Sequence, residues 1–296
     1  MMNNKYAFYL LGKKGYIVLS SIIQNFGTRI IAYVVVGTDI NVKHDYSSEI
    51  KELCKQNSLE FFNRNNIQNN LSYDFAIAIG WRWIINNSDK LVVLHDSLLP
   101  HYRGFAPLVN ALINGEKNVG VSALFASSEY DRGNIIYQES MDVSYPIKIS
   151  CAIDQISECY IKCINNVIRI LNTNIDYTGI VQDEKLATYS LWRDESDYLI
   201  NWNQDAESIK RFVDAVGYPY SGAQTRIGDN VFFVINVEVI QGVIIESRSQ
   251  HVGKVVFVKD NCPIVICREG LLKITNMLNQ SNENVLPLSK FRVKFQ

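Results

Sequence analysis

A chain of 296 residues with 47% hydrophobic and 20% charged residues has the composition of a globular protein, and its length exceeds the usual span of one domain. Six prolines and sixteen glycines exclude collagenous and low-complexity classes, and a net charge of -1, from 29 basic and 30 acidic residues, argues against a nucleic-acid partner. The longest uninterrupted apolar run, Ile30 to Val36, falls far short of the roughly 20 residues of a membrane helix, so no membrane span is expected.

The opening MMNNKYAFYLLGKKGY lacks the basic segment, apolar stretch and cleavage site of an export signal, which makes the cytoplasm the expected compartment. Within it, YAFYLLGKKGYIVLSSIIQNFG joins an apolar run, a Gly12-x-x-Gly15 break and an apolar-periodic stretch, predicting strand, glycine loop and helix. The glycines complete neither G-x-G-x-x-G nor G-x-x-x-x-G-K-[ST]; they read as a tight turn in preference to a phosphate cradle, and neither NAD nor ATP is expected. RIIAYVVVG, rich in β-branched residues, predicts a second strand, IKELCKQNSLEFF a helix, and YDFAIAIGW and KLVVLH two buried strands. This alternation predicts an α/β domain built on a doubly wound, Rossmann-like parallel sheet.

A helix ending near Leu171 carries Cys159 and Cys163, four residues apart, which read as packing residues. The six cysteines form no CxxC pair and have no histidine at zinc spacing, so no metal is expected. Beyond the polar stretch NTNIDYTGIVQDEKLATYS the composition changes. DAESIKRFVDAVGYPYSG predicts a helix with a stripe of Ile209, Phe212, Val213 and Val216, stopped by Gly217 and Pro219. DNVFFVINVEVI, GKVVFVKD, PIVICREG and LLKITN predict the short strands of a small barrel-like domain. The expected boundaries are a catalytic α/β domain over 1–189 and a smaller β-rich domain over 190–296.

Chemistry concentrates between Leu94 and Gln138. His95 and Asp96 follow the buried run LVV, and the C-terminal ends of strands are where open α/β sheets bind ligands. Ser97-Leu98-Leu99-Pro100 makes a turn, His101-Tyr102-Arg103-Gly104 adds donors, and a helix is expected from Ala106. Asp131-Arg132-Gly133 ends the run VSALFASSEY, so His95 and Asp131 could meet across neighbouring strand ends. An imidazole held by a carboxylate can move a proton on and off a reacting nitrogen, though the same pair also reads as a structural hydrogen bond. Ser97 has no G-x-S-x-G surroundings and does not read as a hydrolase nucleophile.

The run His95-x-Ser97-Leu98-Leu99-Pro100-x-Tyr102-Arg103-Gly104, then Ala106-Pro107 and Tyr130-Asp131-x-Gly133-x-Ile135-Ile136, resembles the formyltransferases that use N10-formyltetrahydrofolate. The resemblance extends to GWRWII at Gly80 to Ile85 and to DYLINWNQDAESIKRFVDAVGYPYSGAQT, so it covers most of the chain. It is strongest to the branch that N-formylates nucleotide-linked amino-dideoxy sugars, GDP-perosamine or dTDP-linked 3- or 4-amino sugars, for O-antigen synthesis.

The resemblance implies His95 and Asp131 as catalytic residues. It implies a folate pocket lined by Gly80, Trp81, Arg82, Trp83, Ile84, Ser127 and Ser128, although a tryptophan after a buried strand also reads as core. Ser97, Tyr102 and Arg103 are the expected substrate contacts, Arg103 as a bidentate phosphate anchor or else a structural ion pair. The family's third catalytic residue, an Asn two positions before the motif His, is replaced by Val93, which has no amide for the developing oxyanion. Protonated His95, a backbone N–H or Asn110 are candidates for that role; a branch that never needed the donor, or an inactive protein, are the other readings. The rivals are a methionyl-tRNA formyltransferase, disfavoured by twelve basic against twelve acidic residues from Ser190 to Gln296, and a non-catalytic binder of sugar nucleotide or folate. The second domain is left as structural, with a homodimer surface or second ligand site as its other readings.

Overall fold

The computed structural model describes residues 4–67, 71–85 and 90–296. The segment read for an export signal begins in residues 1–3, outside the described residues. In chain order the elements are β1 (Tyr6–Leu10), α1 (Gly12–Phe26), β2 (Ile31–Val36), α2 (Ser47–Gln56), β3 (Phe61–Asn63), β4 (Phe75–Ile79), β5 (Leu91–His95), β6 (Arg103–Gly104), α3 (Pro107–Asn114), β7 (Asn118–Phe125), β8 (Ile135–Asp142), α4 (Ile149–Thr173) and β9 (Tyr189–Ser190). They are followed by α5 (Ala206–Ala215), β10 (Ala223–Ile227), β11 (Asn230–Ile240), β12 (Val255–Lys259), β13 (Cys262–Ile266) and β14 (Leu271–Leu278).

Two compact units result, one of Met1–Leu108, Lys117–Val143 and Ala152–Leu191, the other of Val109–Glu116, Ser144–Cys151 and Trp192–Gln296. The first holds a seven-stranded sheet in the order β3-β2-β1-β4-β5-β7-β8. Every residue of β1 and β4 is buried, which is why these strands read as unbroken apolar runs. Strands β3 to β5 of that order pair in parallel, as the alternation with helices requires, whereas β5, β7 and β8 pair antiparallel. The expected parallel sheet is therefore mostly parallel: β7 and β8 follow each other with no helix between them, and the eight-residue α3 between β5 and β7 does not return the chain to the starting edge as a parallel crossover would. The glycine loop shrinks to one residue, Leu11, because α1 starts at Gly12. Gly15, Val18, Leu19 and Ile22 form the buried stripe of α1, and Ile156, Tyr160, Cys163, Val167 and Leu171 that of α4, with Cys159 also buried.

In the second unit β10-β11-β14-β13-β12 form an antiparallel sheet, against which α5 lies along β11. The Asp205 carboxylate caps α5 by accepting from the Ser208 N–H at 2.8 Å. The edge strands are bridged by the last residues of the sequence: Val255 N–H donates to the Val293 carbonyl at 3.0 Å, and Arg226 and Gln296 exchange two backbone bonds of 3.0 Å. Phe295, 1% exposed, packs its ring 5.5 Å from that of Trp202, whose indole N–H is satisfied by Thr225 Oγ1 at 3.0 Å. Among the described residues no helix is long and apolar enough to cross a membrane.

Candidate active site at the end of strand five

His95 is the last residue of β5 and is 7% exposed. Its Nε2 lies 2.8 Å from the Tyr102 carbonyl oxygen, which can only accept, so Nε2 carries a hydrogen in this arrangement. That leaves Nδ1 as the nitrogen able to gain or lose a proton, and Nδ1 faces Asp131 Oδ1 at 3.6 Å. The separation is too long for a direct hydrogen bond. The two residues meet across neighbouring elements as their places in the sequence imply.

The approach of these loops is set by the motif glycines. A Cβ on Gly133 would come 1.7 Å from the Phe125 carbonyl oxygen, so only glycine lets the Asp131 loop fold back against β7. Gly104, at φ 101°, would put a Cβ 2.5 Å from the Ser190 carbonyl oxygen, and its N–H donates to Asp131 Oδ2 at 2.8 Å. Asp131 itself has φ 56°, uncommon for a residue with a side chain.

Arg103 does not match its expected role as a phosphate anchor. Its side chain is wholly buried, and Nε and Nη2 donate to Gln182 Oε1 at 3.1 and 2.8 Å. Nη1 and Nη2 donate to the two Glu184 carboxylate oxygens at 2.9 and 2.8 Å, and Nη1 also reaches the Tyr189 hydroxyl at 3.2 Å. A guanidinium spent on three partners has no edge left for a ligand, so Arg103 is an internal anchor. Hydrogen bonds from Arg103 hold the Glu184 carboxyl down at about 2, and Arg132 adds to them.

Ser97 is likewise corrected from substrate contact to turn fastener. Its hydroxyl, 4% exposed as a residue, donates to the His101 carbonyl at 2.6 Å, and its carbonyl accepts from Ser122 Oγ at 2.6 Å. Gln138 Nε2 then ties Ser122 Oγ and the Leu99 carbonyl, which clamps the whole turn to the sheet. Tyr102, at φ 57°, is fixed by its N–H to Thr188 Oγ1 at 2.8 Å and contributes its carbonyl to His95. Beside His95, the half-buried Asp96 accepts from Lys14 and from the Tyr160 hydroxyl. Burial alone would raise the Asp96 carboxyl, but the Lys14 charge and both hydrogen bonds outweigh it and hold the carboxyl below its usual range.

Val93, two residues before His95 on the same strand face, is half-buried and packs against Leu99, Leu124 and Ile135 on one side and the Tyr9, Ala78 cluster on the other. The missing amide is thus replaced by a filled apolar contact. Asn110, considered for the same role, belongs to the second unit, where its Oδ1 accepts from Arg193 at 2.5 Å.

Of the expected folate residues, Trp81 packs edge-on to Tyr9 at 5.3 Å and to Trp83 at 5.0 Å, while Arg64 lies 4.4 Å from the Trp83 ring centre. Trp81 Nε1 is buried with no hydrogen-bond partner among the described residues. Arg82 is drawn to Asp39 by a 2.8 Å ion pair, Gly80 links β4 to this aromatic group, and Ile84 is 77% exposed. Ser127 Oγ turns onto the Glu129 carbonyl at 2.7 Å, and Ser128 is exposed in the same loop. Gln182, Glu184 and Thr188 went unread in the sequence, because a polar stretch between a helix and a new domain carries no local mark of what it will touch. Among the described residues no group of three or more His, Cys, Asp or Glu is gathered to hold a metal ion.

Comparison with known proteins matches residues 64–150 to the family described as "Formyl transferase" and residues 194–292 to "Formyl transferase, C-terminal domain". Among curated relatives, methionyl-tRNA formyltransferase of Syntrophomonas wolfei is 26% identical over 256 residues, covering 82% of this chain and 80% of the relative. Among solved structures, WlaRD, a sugar 3N-formyl transferase crystallised with dTDP and 5-N-formyl-THF, superposes with a TM-score of 0.65 at 17% identity, covering 92% of this chain and 97% of that one. An N-formyltransferase from Helicobacter canadensis, solved with folinic acid and dTDP-3-aminofucose, gives a TM-score of 0.64 at 15% identity, covering 92% of this chain and 99% of that one. HypX from Aquifex aeolicus, solved with tetrahydrofolic acid, gives 0.62 at 18% identity; the chain is covered to 96% but spans less than half, 46%, of HypX. At these identities the structural likenesses establish the shared fold.

Proposed function

Because the chain belongs to the formyl transferase family of one-carbon transferases, we propose that it carries the formyl group of N10-formyltetrahydrofolate to the amino group of a nucleotide-linked amino-dideoxy sugar. GDP-perosamine and dTDP-linked 3- or 4-amino sugars are the proposed acceptors, O-antigen lipopolysaccharide synthesis the setting and the cytoplasm the compartment. The catalytic domain is proposed to span 1–189 and the β-rich domain 190–296. The observation that carries this reading is the His95–Asp131 pair, with the one titratable nitrogen of His95 aimed at the carboxylate.

The folate would supply the formyl carbon. The residues around Trp81 fit such a group: the buried indole N–H lacks an acceptor among the described residues, and the half-buried rings of Trp81 and Trp83 offer apolar contact to a heterocycle. His95 Nδ1 takes the proton that the sugar amine loses on attack and returns it to the departing nitrogen, a role worth about 100- to 10,000-fold in rate. The Tyr102 carbonyl orients the ring and keeps the other ring nitrogen protonated, and Asp131 balances the ring's charge once the proton is taken up. With Val93 apolar, the protonated His95 is the proposed donor to the charge that develops on the formyl oxygen.

Two features favour a sugar nucleotide over tRNA. Residues Ser190 to Gln296 carry twelve basic and twelve acidic side chains, giving no net pull on an RNA backbone. Phe105 and Tyr130, exposed neighbours of Gly104 and Asp131 with ring centroids 6.4 Å apart, offer a surface for a single nucleobase. The competing acceptor, methionyl-tRNA, is favoured by the name of the Syntrophomonas relative. Incubating the protein with N10-formyltetrahydrofolate and each acceptor, and reading formyl addition by mass, separates the two.

A further inference from the structure

Gln182 stands in the segment after α4, 51 residues from Asp131 in sequence, and is 6% exposed. Its Nε2 donates to the Asp131 carbonyl at 2.7 Å and to the Gly133 carbonyl at 2.8 Å, while its Oε1 accepts both Arg103 bonds. All four hydrogen-bonding positions of one buried amide are therefore filled. A flipped amide would set oxygen against two carbonyls and NH2 against a guanidinium, so the orientation is determined by its surroundings.

We propose that Gln182 is a positioning residue for the transfer reaction, clamping the Asp131–Gly133 backbone so that the Asp131 carboxylate stays against His95. The clamp acts where it is needed, because Asp131 holds a left-handed φ of 56° that a side chain disfavours. Both ends of Asp131 lead back to one anchor. Its carbonyl is held by Gln182, which Arg103 holds, and its Oδ2 is held by the N–H of Gly104, the residue after Arg103. The buried arginine of the motif thereby acts on the site without touching a ligand. The charged groups facing His95 are Asp131 and, from its own strand end, Asp96, which Lys14 neutralises. Displacing Asp131 removes the former alone.

The proposal rests on Asp131 acting as described above, and its test keeps the two claims separate. Gln182→Glu keeps the acceptor for Arg103 and loses both donors to the loop; Gln182→Met, of similar volume, is the second variant should the carboxylate unseat the fold. In the full chain, with N10-formyltetrahydrofolate and an accepted amino-sugar nucleotide, kcat is expected to fall about a hundredfold, as for a misplaced catalytic group, with both KM values within about threefold of wild type. The ring nitrogen NMR signals of His95 are expected to shift at Nδ1 while the melting temperature stays within a few degrees. Unchanged kcat and unchanged His95 signals in a folded variant would overturn the proposal, as would a raised KM with kcat kept. A wild type that formylates no amino-sugar nucleotide would sink the functional reading alone, since the His95 signals of wild type and variant still decide whether Gln182 sets the pair.

Discussion

At the scale of single residues, the working pair is built from constraints on its neighbours more than from the pair itself. His95 is oriented by a backbone carbonyl and Asp131 by a backbone N–H, so neither depends on the other to stay in place. Asp131→Asn retains an acceptor for Gly104 N–H but loses the charge beside Nδ1; steady-state rates are expected to drop about 100-fold or more with little change in melting temperature. Val93 makes a contrasting case. It packs against Leu99, Leu124 and Ile135, and an amide there would lie among apolar side chains. Val93→Asn should cost about 1 to 3 kcal/mol in urea unfolding and give no increase in formyl transfer. A tenfold gain in rate would show instead that the site lacks a donor that His95 does not replace.

At the scale of elements, the junction of β5 with α1 and α4 depends on one mostly buried ion pair. Lys14, from the first turn of α1, and Tyr160, from α4, both meet Asp96. Lys14→Met leaves that carboxylate without its counter-charge and should cost about 3 kcal/mol at pH 7 by urea unfolding. Because the folded carboxyl is held below its unfolded value, its contribution is full above about pH 3.9 and is lost as the pH falls through the lowered value. The stability gap between wild type and variant should therefore close as the medium is acidified through that range; a gap that stayed constant would mean Asp96 is not what Lys14 stabilises. Strands β1, β2, β4 and β5 were legible because burial on both faces leaves unbroken apolar runs. The direction of β7 and β8 was not, since an apolar strand reads the same either way. Three-residue β3 and the two-residue pair β6 and β9 form through tertiary approach and leave no pattern of their own.

At the scale of the whole molecule, the reaction class was readable through the family resemblance carried by the runs around His95 and Asp131, whereas the pair by itself read equally as a structural contact. His95, Asp131 and both loop glycines come together as their spacing implies. Of the two readings of Arg103, the structural ion pair is the one the fold realises, and its partners Gln182 and Glu184 were not legible because they lie about 80 residues further on in a stretch with no periodicity. The same stretch thus supports the candidate site and leads in sequence into the second unit. On the proposed function, acceptor choice falls to exposed surface, to Phe105, Tyr130 and the balanced charge of residues Ser190 to Gln296, where composition sets preference but not identity.

The central claim is formyl transfer to an amino-sugar nucleotide through His95. It is tested most directly by mass spectrometry of reactions containing N10-formyltetrahydrofolate and either GDP-, dTDP- and UDP-linked 3- and 4-amino sugars or methionyl-tRNA, with His95→Ala as control. The account predicts addition of one formyl group to a sugar nucleotide, abolished in the control, and no product on methionyl-tRNA; formylation of methionyl-tRNA alone, or turnover that survives His95→Ala, would contradict it.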